Sequence, residues 1–260
     1  MPITSAQNPL LKTIRRAVGS GRALQDGRMV IEGPHLLEEC LGSGWQVEQV
    51  LTTAHGAERH QRLLARVDVM ELPARAFASL SATQTSQEIM ALVKPSVTSW
   101  AECLKREGVM VILDGLQDPG NAGTILRSAE AFGAGSVIFL EGSVHVANGK
   151  FLRATAGSIF RMPYLENQER GDVVSKLRAN RRTLYALMPG SPEGSRERLG
   201  AANLLAPCAI AVGSEAHGVS PEFRACAQAL SIPTHRVESL NAGVACSIAL
   251  FEAARQRGSV

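Results

Sequence analysis

The chain has 260 residues, 45% of them hydrophobic and 20% charged, which is enough apolar material for a buried core in one large domain or two ordinary ones. With a net charge of only +3, this composition excludes disorder as the dominant state. It also excludes a membrane span, because the longest near-continuous apolar stretch, Leu204 to Val212, is broken by Pro207 and falls far short of the ~20 residues required. Five scattered cysteines without a CxxC pair read as reduced thiols in a reducing compartment. The histidines form no HExxH or HxxxH pattern, so nothing argues for a metal site.

In chain order, apolar residues at helical spacing after Asn8-Pro9 (Leu10, Leu11, Ile14, Ala17, Val18) predict a short helix with a basic face. Residues 1–28 carry Lys12, Arg15, Arg16, Arg22 and Arg28 against Asp26 alone. Such a segment fits contact with phosphate backbones. It equally fits a transit peptide or an ordinary solvated helix face. A strand (Met29–Glu32), a turn at Gly33-Pro34, a helix (His35–Leu41), a strand (Val47–Thr52), a helix near Glu58–Arg66 and a strand (Val69–Leu72) follow. This alternation predicts an α/β unit ending near Val93. Lys94 to Ser99 reads as a linker, and the domain division becomes residues 1–95, a linker at 96–107, and a second α/β domain over 108–260.

The second unit opens on Val109–Leu113, a run without polar alternation, as expected of a strand covered on both faces. A helix over Ala122–Phe132 and strands at Ser136–Leu140, Thr183–Met188, Cys208–Gly213 and Ala229–Ile232 continue it. Pro189–Gly200 reads as a mobile loop. A small-residue-rich helix closes the chain from about Asn241 to Arg255.

Three polar, glycine-bearing loops follow three of these strands, and in open α/β sheets ligands collect at the carboxyl ends of strands. In the first, Asp118-Pro119-Gly120-Asn121 is a turn after which Asn121 can cap the next helix. Arg127 lies inside that nearly apolar helix, where a guanidinium is costly to bury without an anionic partner such as a phosphate or carboxylate ligand. A lone helical arginine otherwise faces solvent. In the second, Gly213 and Gly218 bracket Ser214, Glu215 and His217; Ser220-Pro221 starts a helix with proline at its first position. Glu215 fits a solvated turn as well as a functional role, and His217 is given none. In the third, Ser239 or Asn241 can cap the final helix. G-x-S-x-G, G-x-G-x-x-G after a leading strand, and the Walker G-x-x-x-x-G-K-[ST] are all missing.

In this order the loops resemble the three signature motifs of the SpoU/TrmH family of RNA ribose 2′-O-methyltransferases, of the SPOUT class. The first motif is carried by Asn121 to Gly133, the second by Gly213-Ser214-Glu215-Ala216-His217-Gly218, and the third by Ile232-Pro233 with Glu238-Ser239-Leu240-Asn241. Arg153-Ala154-Thr155-Ala156-Gly157-Ser158 resembles the family's intervening helix start. Asn8-Pro9, Arg22 and Glu32-Gly33-Pro34 resemble its substrate-binding domain. The third motif departs from the family pattern, with Thr234-His235-Arg236 in place of the usual methionine and glycine and no glycine before Asn241.

The resemblance implies a C-terminal SPOUT domain with a parallel sheet and a deep trefoil knot, beside a smaller N-terminal α/β RNA-binding domain. It implies S-adenosyl-L-methionine held by Gly213, Ser214, Gly218, Ile232 and Leu240, the first glycine because a side chain would block close backbone approach. It also implies a homodimer through the SPOUT domain and catalysis by Arg127 with Asn121, Glu215, Ser239 and Asn241. Family proposals make Arg127 the base; a guanidinium with a pKa above ~12 is better suited to binding the adjacent phosphate and stabilising developing oxyanion charge. Lys12, Arg15, Arg16, Arg22 and Arg28 would bind the RNA, ribosomal RNA before transfer RNA, in the cytoplasm. Base methylation, a catalytically silent knotted RNA-binding protein, and a nicotinamide enzyme are the competing readings.

Overall fold

The computed structural model describes residues 8–83, 86–189 and 197–260. They fold into two units, one of residues up to Val97 together with His145–Arg161, the other of Thr98–Val144 and Met162–Val260. The segment 145–161, assigned above to the second domain, is thus part of the first unit.

In the first unit, Asn8 caps helix α1 (Pro9–Ser20) by accepting from the Leu10 amide at 2.8 Å, and Pro9 stands where its missing N–H costs nothing. Strand β1 (Met29–Glu32), α2 (Pro34–Leu41), β2 (Gln46–Thr52), α3 (Ala54–Arg59), α4 (Gln61–Leu64), β3 (Val69–Glu71), α5 (Ala74–Ala78) and β4 (Ile89–Lys94) follow. The sheet runs β1-β4-β2-β3, antiparallel except for β2 with β3. Central β4 is buried from Ile89 to Val93, as a strand covered on both faces must be. Leu11, Ile14 and Ala17 of α1 pack with Leu51, Phe77, Met90 and Leu92 in one core.

The second unit begins with α6 (Trp100–Lys105), so the stretch read as linker contains a helix. Ser99 and Glu102 form a complete capping box. Then come β5 (Met110–Asp114), α7 (Pro119–Ala131) and β6 (Ser136–Leu140). Helix α8 (Gly149–Ala154) belongs to the first unit, and Arg153–Ser158 lies at its end rather than at a helix start. Strand β7 (Tyr164–Gln168), α9 (Arg170–Ala179), β8 (Thr183–Met188), β9 (Glu197–Arg198), β10 (Cys208–Gly213), α10 (Pro221–Arg224), β11 (Gln228–Ser231) and α11 (Ala242–Gln256) complete the chain. Of the expected mobile loop Pro189–Gly200, residues 190–196 lie outside the described residues, and its end forms β9, paired with β11. The seven strands run in the order β7-β6-β5-β10-β8-β11-β9, and their pairings are parallel. Strands β5, β6 and β10 are buried throughout.

Helices α7 and α11 pack closely. A Cβ on Gly243 would come within 3.3 Å of Thr124 Cβ and 3.4 Å of the Asn121 carbonyl, and the Ser128 and Ser247 hydroxyls bond at 2.7 Å. Phe132 and Phe251 close the far end edge to face at 5.7 Å.

Burial pushes the thiols of Cys40 and Cys246 up to about 12 and raises those of Cys103 and Cys208, whereas Cys226 is partly exposed. A thiol-reactive chromogenic disulfide should therefore titrate about one of the five cysteines in the native protein and all five in denaturant. Fast titration of three or more in the native state would contradict this packing.

Candidate active site

Strands β5, β10 and β11 end at one edge of the parallel sheet, and their loops meet there. The first loop turns into α7 under a cap supplied by Asp118, whose Oδ1 accepts from the Asn121 amide at 2.7 Å. Asn121 is therefore not the cap, and its side chain is free for other work. Its Nδ2 donates to Glu215 Oε1 in the second loop, and its Oδ1 accepts from Asn241 Nδ2 in the third at 2.9 Å. Asn241 also caps α11, its Oδ1 accepting from the Val244 amide at 3.2 Å. Each amide's orientation is thereby fixed, oxygen to donor and nitrogen to acceptor.

Beside this chain lies a cavity of about 560 Å³, within the range of small-molecule sites. Gly213, Ser214, Glu215, Gly218, Ile232, Ser239, Leu240 and Asn241 line it, together with residues the sequence reading did not assign, notably Leu187, Met188 and Pro189 at the carboxyl end of β8. The signal for these three was their place at a strand's carboxyl end. Glu238 also lines the cavity. In the atypical third loop, Thr234 Oγ1 donates to the Val237 carbonyl at 2.7 Å and closes the turn.

Gly213 is required for a different reason from the one expected. A Cβ there would fall 1.9 Å from the Gly218 carbonyl carbon and 2.1 Å from the Val219 nitrogen, so the second loop closes on its own backbone at this point. Ser214 and Gly218 bridge one another across the same closure.

Arg127 is not among the cavity residues. It is exposed on α7 and, among the described residues, makes no hydrogen bond or ion pair; solvation there removes the expected need for a buried partner, and the guanidinium is open to an external anion. Of the basic residues of the first unit, Lys12, Arg16 and Arg22 are exposed and likewise unpaired. Arg15 is engaged with Ser79, its Nη2 donating to Oγ at 2.7 Å. Arg28 pairs with Asp26 at 2.7 Å and with Glu48 at 3.3 Å, and its guanidinium holds the Asp26 carboxyl below the usual carboxylate range. Among the described residues no group of three His, Cys, Asp or Glu side chains could hold a metal, and no helix is long and apolar enough to cross a membrane.

A profile of the SpoU rRNA methylase family matches residues 108–251, and one of the MRM3-like substrate binding domain matches residues 8–91. This chain belongs to the SpoU rRNA methylase family. An uncharacterised tRNA/rRNA methyltransferase of Synechocystis is 30% identical over 98% of this chain and 94% of its own length. A Bacillus subtilis 23S rRNA (guanosine(2553)-2′-O)-methyltransferase is 29% identical over 96% and 97%. The solved structure of a putative TrmH-family RNA methyltransferase from Porphyromonas gingivalis superposes with a TM-score of 0.79 at 29% identity, over 98% of this chain and 99% of that one. As a SpoU family member the chain is a methyltransferase, with a substrate-binding unit ahead of a SpoU unit.

Substituting Gly213→Ala should cost roughly 1–3 kcal/mol in urea unfolding, because the added methyl must displace backbone. An alanine variant of unaltered stability would show that the second loop does not close as described.

Proposed function

We propose that this chain transfers the methyl group of S-adenosylmethionine to a ribose 2′-hydroxyl of structured RNA, with ribosomal RNA as the substrate. The observation that carries this reading is the convergence of the three motif loops on one cavity, tied together through Asn121. The Bacillus relative, named for ribose methylation of 23S ribosomal RNA, supports the substrate class.

The donor would be held by Gly213, Ser214, Gly218, Ile232 and Leu240, in a cavity whose carboxylates, Glu215 and Glu238, suit a cationic ligand. When bound, it supplies an electrophilic methyl on a sulfonium centre. The chain's part is orientation, since holding a weak nucleophile in line removes much of the barrier. Asn121 and Asn241 fix Glu215 and the mouth of the cavity, while Ser239 offers an exposed hydroxyl to the nucleotide. Arg127, unpaired and exposed on α7, would bind the phosphate next to the target ribose and stabilise charge developing on its oxygen. Lys12, Arg16 and Arg22 would grip the RNA backbone, and Arg15 and Arg28 would contribute less because protein groups already engage them.

The same reading implies a trefoil knot and a homodimer. The insertion of β10 between β5 and β8, with α11 returning to α7, supports the first. Val244, Ile248 and Phe251, exposed along one face of α11, support the second. The proposal includes a cytoplasmic location for the enzyme.

Labelled methyl transfer to unmodified ribosomal RNA, followed by mapping of the modified ribose, tests the proposal. A chain that binds RNA and donor but transfers nothing would be a silent RNA-binding protein instead. Arg127→Lys should lower kcat on the order of 10²-fold with donor affinity unchanged, because lysine keeps the charge but loses the planar fork. Turnover close to wild type would remove any role for bidentate geometry. Replacing Lys12, Arg16 and Arg22 with alanine should weaken RNA binding and flatten the slope of log affinity against log salt by about two to three units; unchanged affinity would show that this face is bystander surface.

A further inference from the structure

A second cavity of about 510 Å³ opens on the other side of the Ser214–Gly218 loop, lined by Asp114, Gln117, Arg170, Ser220 and Arg224 among others. Its construction begins with Asp114, a charged residue at the end of the apolar β5 strand whose side chain is only 1% exposed. Both carboxylate oxygens are committed. Oδ1 accepts from Arg170 Nε at 2.9 Å, and Oδ2 accepts from the Ser220 amide at 2.7 Å. Arg170 is further fixed by donation from Nη2 to the Glu141 carbonyl at 3.2 Å. Two of its five N–H groups are thus used to aim the guanidinium, and three remain.

Two further groups on the wall have no partner among the described residues. The Ser220 hydroxyl is buried and makes no hydrogen bond, an unfavourable condition that a ligand accepting from it would relieve. The Arg224 guanidinium is exposed and unpaired. Ser214, His217 and Pro221 also line the cavity, as do Gly115, Gly142 and Gly218, and a Cβ at Gly142 or Gly218 would meet nothing within 4 Å. The Asp114 charge is balanced by Arg170, so Arg224 leaves the cavity cationic.

We infer that this cavity is a phosphodiester-binding site for the substrate RNA, with Arg224, the free N–H groups of Arg170 and the Ser220 hydroxyl as its donors. The inference rests on the RNA substrate argued above. The Ser214–Gly218 loop is a wall of both cavities, so a phosphate bound here belongs to nucleotides close to the one being methylated. Every ribose in RNA is flanked by phosphates, and planar guanidinium forks match their geometry. Arg224 also borders the first cavity, which Glu215 and Glu238 line as well. Its competing use, as a donor to the carboxylate of S-adenosylmethionine, is therefore built into the test.

The experiment uses the full chain, an unmodified 23S ribosomal RNA transcript and S-adenosylhomocysteine as probes. Arg224→Ala should weaken transcript binding roughly tenfold and reduce the salt slope by about one phosphate contact. Arg224→Lys should keep the slope but not the full affinity. Ser220→Ala should weaken binding without moving the slope, and all three should bind S-adenosylhomocysteine within twofold of the wild-type chain. Wild-type transcript affinity and slope in Arg224→Ala would overturn the inference. So would a loss of S-adenosylhomocysteine affinity with transcript binding intact, which would assign Arg224 to the first cavity. Failure of the unsubstituted chain to bind or methylate the transcript would instead overturn the RNA reading on which the inference rests.

Discussion

The site depends on one side-chain amide. Asn121 spends its nitrogen on Glu215 and its oxygen on Asn241, and so joins loops 94 and 120 residues away in sequence. Neither contact would have much value alone on an exposed edge. Together they lock three loops that otherwise need ordering separately, each against its own conformational entropy. Asn241 couples this arrangement to the scaffold, because the oxygen that caps α11 belongs to the same amide that holds Asn121. The start of the last helix and the mouth of the cavity are thereby one structure.

The frame beneath is a parallel sheet whose middle strands are buried on both faces, which places polar chemistry at the strand ends and nowhere else. Two cavities at that edge carry the charged groups. Glu215 and Glu238 line the one beside the three motif loops, Asp114 and Arg170 line its neighbour, and Arg224 borders both. Asp114, nearly inaccessible and fully bonded, orients Arg170 and at the same time pins the backbone at Ser220, where α10 begins. A carboxylate and a cation 56 residues apart thus shape the cationic cavity from within the sheet.

Much of this was legible in the sequence, for physical reasons. An apolar run without alternation marked β5, and proline after asparagine or serine marked the starts of α1 and α10. The three loops were recognisable because their residue types are set by local geometry. What escaped was either short or non-local. The capping box at Ser99 and Glu102 was present in the linker stretch, but six residues of helix follow it, too few for an apolar period to show. Membership of residues 145–161 in the first unit depends on tertiary packing, and the two-residue β9 exists only through its pairing with β11. Asn121 was read as a cap because asparagine favours caps; Asp118, three residues earlier, took that role. Arg127 was expected to need a buried partner, and it stands in solvent because the helix turns its apolar residues the other way.

The central claim, that Asn121 assembles the cavity without touching what enters it, is tested most directly by a double-mutant cycle read out by calorimetric binding of S-adenosylhomocysteine. Asn121→Ala should weaken binding about tenfold although Asn121 is not a cavity residue, and adding Glu215→Ala should cost less than it does alone, since the part of its effect that passes through the shared bond is already lost. Full affinity in the Asn121 variant, or strictly additive losses in the pair, would contradict the account.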